Sequence, residues 1–103
     1  MEYLFKPDLE NKTRKKQKER KINSYNVILL NDNYTTMDFV VEILIKIFKK
    51  NQQDANDIML EVHNNGKSIA GNYHYDIAIT KIEQVHALAA EKEYPFRCIL
   101  EGI

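Results

Sequence analysis

Two short stretches hold most of the side chains that could do chemistry. In the first, Asn31, Asp32 and Asn33 stand side by side and Thr35 follows. Amide, carboxylate and hydroxyl oxygens all accept hydrogen bonds. Held rigidly next to Met37 and Val40, they suit a ligand with a positive end and an apolar body. In the second stretch, Met59 and His63 are four residues apart and share a face if the segment is helical. Each group also has a plainer reading. A histidine near a helix C-terminus commonly complements the helix dipole, and Met37, Val40, Met59 and Val62 recur as a helix–helix core would. The two readings of the apolar set are compatible, because a pocket is an incomplete core that a ligand side chain completes.

Enzymatic chemistry finds less support. There is no glycine-rich nucleotide loop, and Asp32, His63 and His86 are not spaced as a hydrolytic or metal-binding set. His86 falls in mid-helix and is expected at its surface. The expectation is a protein that is not an enzyme and uses no cofactor or metal.

These side chains need elements to position them. Val27 to Leu30 is an apolar run that reads as a buried strand, and Asn31-Asp32-Asn33 stops it with turn-forming side chains. Thr35 is expected to cap a helix, with Asp38 completing a capping box. Met37, Val40, Val41, Leu44 and Phe48 give that helix its apolar face, and Lys49, Lys50 and Asn51 close it. Asp54 is expected to cap a second helix with Asp57 three residues on, Ile58, Met59 and Val62 form its stripe, and Asn64-Asn65-Gly66 supplies a left-handed end. Lys67 to Tyr73 reads as a strand in which Gly71 marks a bulge or a close backbone approach. Tyr75-Asp76 opens a third helix with Ala78, Ile82, Val85 and Ala89 on one face and Lys81 and Glu83 toward solvent, ending near Glu93 before Pro95. Phe96 to Leu100 alternates as a last strand. The order βααβαβ predicts an α+β fold in which a small three-stranded antiparallel sheet packs against three helices.

The chain has 103 residues, enough for one domain. Its zero net charge conceals an asymmetry. Residues 1–24 hold eight basic and four acidic side chains, and residues 25–103 hold seven and eleven, giving +4 and −4. The first part is expected to be a flexible charged extension, since it is too polar to bury a core. A nucleic-acid arm is the alternative suggested by the basic run from Lys12 to Lys21. The second part, residues 25–103, is the core domain, and its acidity disfavours nucleic acid as a partner. Cys98 is the only cysteine, so no internal disulfide forms and a reducing compartment fits. The apolar patch Tyr3-Leu4-Phe5 is too short for a signal-peptide core, and no run is long enough to span a membrane. A cytoplasmic monomer is the simplest expectation.

The run from Val27 to Val41, followed by Met59-Leu60-Glu61-Val62-His63-Asn64-Asn65-Gly66-Lys67 and by Gly71, closely resembles the ClpS family. These are adaptors that hand N-degron substrates to the Clp AAA+ protease. The resemblance runs from about Tyr25 to about Glu101. It implies that Asn31, Asp32, Asn33, Thr35 and His63 hold the free α-amino group of a substrate's first residue. It further implies that Met37, Val40, Met59, Val62 and Phe96 surround that residue's bulky side chain (Leu, Phe, Tyr or Trp), with Met37 excluding β-branched ones. Asp76 and Lys81 match positions that contact the unfoldase, of ClpA or ClpC type, and the extension would take part in delivery. An α-ammonium is donor-only, so an amide oxygen and a neutral imidazole are suitable partners, and binding should weaken in mild acid as the imidazole gains charge.

Three positions depart from the family pattern. Asn33 stands where a second aspartate is common, Phe96 where leucine is common, and Thr36 where proline is frequent at the first helical position. The first lowers the negative charge near the amine, and the second could reshape the side-chain pocket. The same fold also occurs in the C-terminal domain of a ribosomal stalk protein. A protein-interaction module unrelated to N-terminal residues is therefore the alternative reading.

Overall fold

The protein is described by a computed structural model covering residues 24–102. Apart from Ser24, the extension assigned to residues 1–24 lies outside the described residues. Six elements follow in the expected order: β1 (Ser24–Leu30), α1 (Met37–Lys46), α2 (Gln52–Asn65), β2 (Lys67–His74), α3 (Tyr75–Glu91) and β3 (Arg97–Gly102). The strands form one antiparallel sheet in the order β2-β1-β3, so the most apolar strand is central. Alternation along β1 sends Val27 and Leu29 into the core, both fully buried, where the helices cover one face of the sheet. Ile43 and Leu44 from α1, Val62 from α2, and Ala78, Val85 and Ala89 from α3 meet them there.

Gly71 lies at a bulge. Val27 pairs with Gly71 and Ile28 with Ile69, which leaves Ala70 as the extra residue on β2. A side chain at Gly71 would run into the Tyr73 ring, so the glycine allows that ring to lie along its own strand.

The helix starts differ from expectation at two places. Thr36, not Thr35, caps α1, its Oγ1 accepting from the Phe39 N–H at 3.1 Å. Thr35 is unavailable because its hydroxyl donates to Asp32 Oδ2 at 2.7 Å. Asn51, not Asp54, caps α2, its Oδ1 accepting from the Asp54 N–H at 2.7 Å. Asp54 sits instead in the first turn, where its charge complements the helix dipole. Two helix ends also fall slightly early. Phe48 is buried just beyond α1, and Glu93 lies past the end of α3 in a left-handed conformation with φ of 62°.

Two residues of α3 expected at the surface have internal roles. Lys81 Nζ donates to the Ile47 carbonyl at 2.7 Å and lies 5.2 Å from the Tyr73 ring centre, tying the end of α1 to α3 and β2. His86 is half-buried, and its Nε2 accepts from the Cys98 N–H at 3.0 Å. Since β3 is an edge strand, that N–H has no neighbouring strand to pair with, and the imidazole takes the strand's place.

Burial, helped by the nearby positive Arg97, holds the His86 imidazole below its ordinary pKa. The neutral form therefore favours the native state. Its contribution is complete above the ordinary imidazole value and is lost as pH falls through the lowered native one. Stability measured by urea unfolding should thus decline from neutral to mildly acidic pH. His86→Leu should lower stability by about 1–3 kcal/mol at neutral pH, by orphaning the Cys98 N–H, and should flatten that decline. An unchanged decline in the variant would rule out His86 as its source.

Candidate functional site

The loop after β1 is built by its own side chains. Asp32 Oδ1 accepts from the backbone N–H groups of Tyr34 at 2.8 Å and Thr35 at 2.7 Å, while Oδ2 takes the Thr35 hydroxyl. Partial burial raises the Asp32 pKa, but the bonds from Thr35 and Tyr34 outweigh it, and the carboxyl sits below its ordinary value. The loop thus carries a fixed negative charge at neutral pH.

A second tie joins this loop to α2. The Asn31 N–H donates to the Gly66 carbonyl at 2.9 Å, and the Gly66 N–H donates to the Val62 carbonyl, also at 2.9 Å. Gly66 has φ of 92°, a left-handed conformation that glycine adopts without strain, so the helix can end there and turn its carbonyl toward the loop. His63 lies one turn before that end. The first candidate stretch therefore meets the second through backbone bonds. Gly66 reads in the sequence only as a helix stop, and its role as the bridge depends on strand pairing that no local pattern shows.

Between them is a cavity of about 230 Å³. Asn31, Asp32, Asn33, Thr35 and His63 supply its polar lining, and Met37, Val40, Met59 and Val62 its apolar lining. Val40 and Val62 are buried, whereas Met37 is 43% exposed. Tyr34 does not line the cavity, although Asp32 fixes its backbone beside the polar loop, and its side chain is exposed. For scale, a dry cavity of about 150 Å³ is large enough to hold benzene. This space can take an aromatic or branched aliphatic side chain with acceptors at its polar side.

Phe96 is not among the lining residues. It is 2% exposed and packs edge-on against Phe39, with ring centres 6.1 Å apart, so its bulk fills the core beneath α1. Asp76 and Lys81 lie apart from the cavity on α3. Asp76 is exposed, and the Lys81 ammonium is committed to Ile47. Among the described residues, no group of three or more His, Cys, Asp or Glu side chains could hold a metal ion, and no helix is long and apolar enough to cross a membrane.

The family model "ATP-dependent Clp protease adaptor protein ClpS" matches residues 20–99. Similar curated proteins include the ATP-dependent Clp protease adapter protein ClpS of Acetivibrio thermocellus, 56% identical over 82 residues, which are 80% of this chain and 83% of that protein. The protein of the same name from Syntrophus aciditrophicus is 56% identical over 79 residues, 77% of this chain and 74% of that one. Among solved structures, Agrobacterium tumefaciens ClpS2 bound to L-phenylalaninamide superposes with a TM-score of 0.76 at 29% identity, covering 80% of this chain and 99% of that one.

Proposed function

The chain belongs to the ClpS family of ATP-dependent Clp protease adaptor proteins, and from that premise we propose that its cavity captures the free amino terminus and bulky first side chain of N-degron substrates. An adaptor of the Clp protease has a Clp unfoldase and protein substrates as partners. Here the unfoldase is of ClpA or ClpC type, docked at the α3 surface that holds Asp76 and Lys81. The adaptor works as a cytoplasmic monomer with no catalytic step, cofactor or nucleic acid. The core domain, residues 25–103, captures the substrate, and the extension, residues 1–24, assists its delivery.

The observation that supports this reading is the juxtaposition in one cavity of acceptor groups and an apolar wall. L-phenylalaninamide, the ligand of the related ClpS2, is a primary amine carrying a benzyl group, and the cavity matches both ends of such a molecule. Asn31 and His63 accept from the ammonium, and the Asp32 charge stabilises it. Burying a Leu or Phe side chain against Met37, Val40, Met59 and Val62 would contribute roughly 1.5–3 kcal/mol, enough to favour large apolar residues over small ones. Met37, exposed at the cavity, acts as the gatekeeper against β-branched side chains.

Fluorescence anisotropy of a labelled peptide beginning with Phe tests this reading. The free-amine peptide should bind saturably and its N-acetylated twin should not. His63→Ala should weaken binding roughly 10- to 150-fold, the equivalent of one hydrogen bond to a charged group. On Met37→Ala, peptides beginning with Val or Ile should be admitted. Adding a Clp unfoldase should raise the anisotropy further, and Asp76→Arg should abolish only that second rise. Equal binding of the free and acetylated peptides would overturn amine recognition and favour a general protein-interaction module.

A further inference from the structure

The helices cover one face of the sheet, and the other face carries an ordered pattern of its own. Three rows cross it, each built from residues paired between strands. At one end, Asn72 donates to Asn26 at 3.0 Å and Asn26 to Glu101 at 3.4 Å. In the middle, Ile28 is flanked by Ile69 and Ile99, which are 50% and 46% exposed, while Ile28 between them is 5% exposed and outside the core cluster. At the other end, Leu30 is flanked by Lys67 and Arg97. The face therefore reads acid, apolar, base along the direction of β1, with rows two residues apart.

We propose that this face is the docking surface for residues 2–6 of the same chain, which lie outside the described residues. Their sequence, Glu2-Tyr3-Leu4-Phe5-Lys6, is an apolar cluster bracketed by one acid and one base. Laid antiparallel to β1's pattern, Glu2 meets Lys67 and Arg97, Leu4 meets the isoleucine row, and Lys6 meets Glu101. In an extended segment these three residues share one face at the same two-residue period as the rows.

Chain length permits the placement. Residues 7–23 connect Lys6 to Ser24. They span at most about 60 Å, whereas Ser24 is only about 20 Å from the far row along β1. Lys6 would sit at the end of the sheet where β1 begins, so the connection need not cross the face.

Size selects this occupant over others. Three strands about 4.8 Å apart, followed for about 20 Å, present on the order of 300 Å². A stable interface between separate proteins takes about 800 Å² from each partner. A face this small suits a tethered segment, for which linkage supplies an effective concentration in the millimolar range. A segment held here is not simultaneously available to a partner, so docking would compete with its use in delivery.

The test is a spin label on Asp8→Cys in the full-length chain, read by loss of backbone amide signals. Cys98 does not interfere, because it is buried and its thiol is pushed up to about 12. Docking predicts selective loss of the Ile69 and Ile99 amides while those of Asn31 and His63 persist. Glu2→Lys should restore the lost signals, and adding Lys67→Glu and Arg97→Glu to it should remove them again. Uniform or absent broadening would overturn the proposal, as would broadening centred on the cavity. Broadening of an isotope-labelled chain by a separate spin-labelled chain would assign the face to a second copy and overturn it too.

Discussion

Replacing Asp32 by alanine is expected to weaken binding of a free-amine Phe peptide by one to two orders of magnitude while leaving the domain folded. The carboxylate holds Tyr34 and Thr35 through two backbone bonds and fixes the Thr35 hydroxyl through a third. Without it the loop loses the geometry that presents Asn31 and Asn33, and the ligand must order the loop as it binds. The loss of negative charge next to the ammonium acts in the same direction. One hydrogen bond to a charged group contributes about 1.5–3 kcal/mol, and each 1.4 kcal/mol is tenfold in affinity.

Asp32→Asn separates the two effects. Its amide oxygen can still accept from the Tyr34 and Thr35 N–H groups, but the charge is gone. If Asn restores most of the affinity, loop geometry dominates; if it binds as weakly as Ala, the charge dominates. Full affinity in Asp32→Ala would contradict both roles. The native carboxyl also sets a pH limit. Its pKa is lowered in the native state, so its stabilising contribution is present above the ordinary carboxylate value and is lost as pH falls through the native one. Asp32 therefore keeps its charge at mildly acidic pH, where His86, with its lowered pKa, begins to weaken the fold.

The nine lining residues of the cavity sit in two dense local patterns, a turn between strand and helix and a helix end, and it is the resemblance to ClpS that joins the two into one pocket. Local patterning reaches less far elsewhere. Thr35 and Thr36 are equally competent caps, and what decides between them is the reach of Asp32 three residues back. Asn51 and Asp54 present the same ambiguity, decided by where the chain leaves α1. Lys81 and His86 lie at the borders of the α3 apolar stripe, where helical spacing gives an angle but no neighbour. The Ile47 carbonyl and the Cys98 N–H, contributed by distant segments, draw them inward. Phe96, expected to open the last strand, is the same problem one residue ahead of β3. Its inward side is legible, but only packing shows that it lies edge-on to Phe39 and outside the cavity lining. The bridge from Asn31 to Gly66 had no local signature, although it brings the two halves of the site together.

The largest effect on stability is expected from Leu44→Ala. Leu44 is fully buried one helical turn after Val40, in the core between the sheet and the helices. Removing it costs the transfer energy of the lost methyl groups plus that of the hole left behind, together about 2–5 kcal/mol. Domains of this size have only about 5–15 kcal/mol in total, so the variant should sit near its unfolding threshold. Leu60, 46% exposed on α2, is the control, and Leu60→Ala should change stability by about 0.5 kcal/mol or less. Urea midpoints with an unchanged slope would read both. A Leu44→Ala loss no larger than that of Leu60→Ala would contradict the packing described for α1. The peptide assay then distinguishes scaffold from site: in Leu44→Ala the number of competent molecules falls while the folded fraction keeps its affinity, whereas in Asp32→Ala every molecule binds and binds weakly.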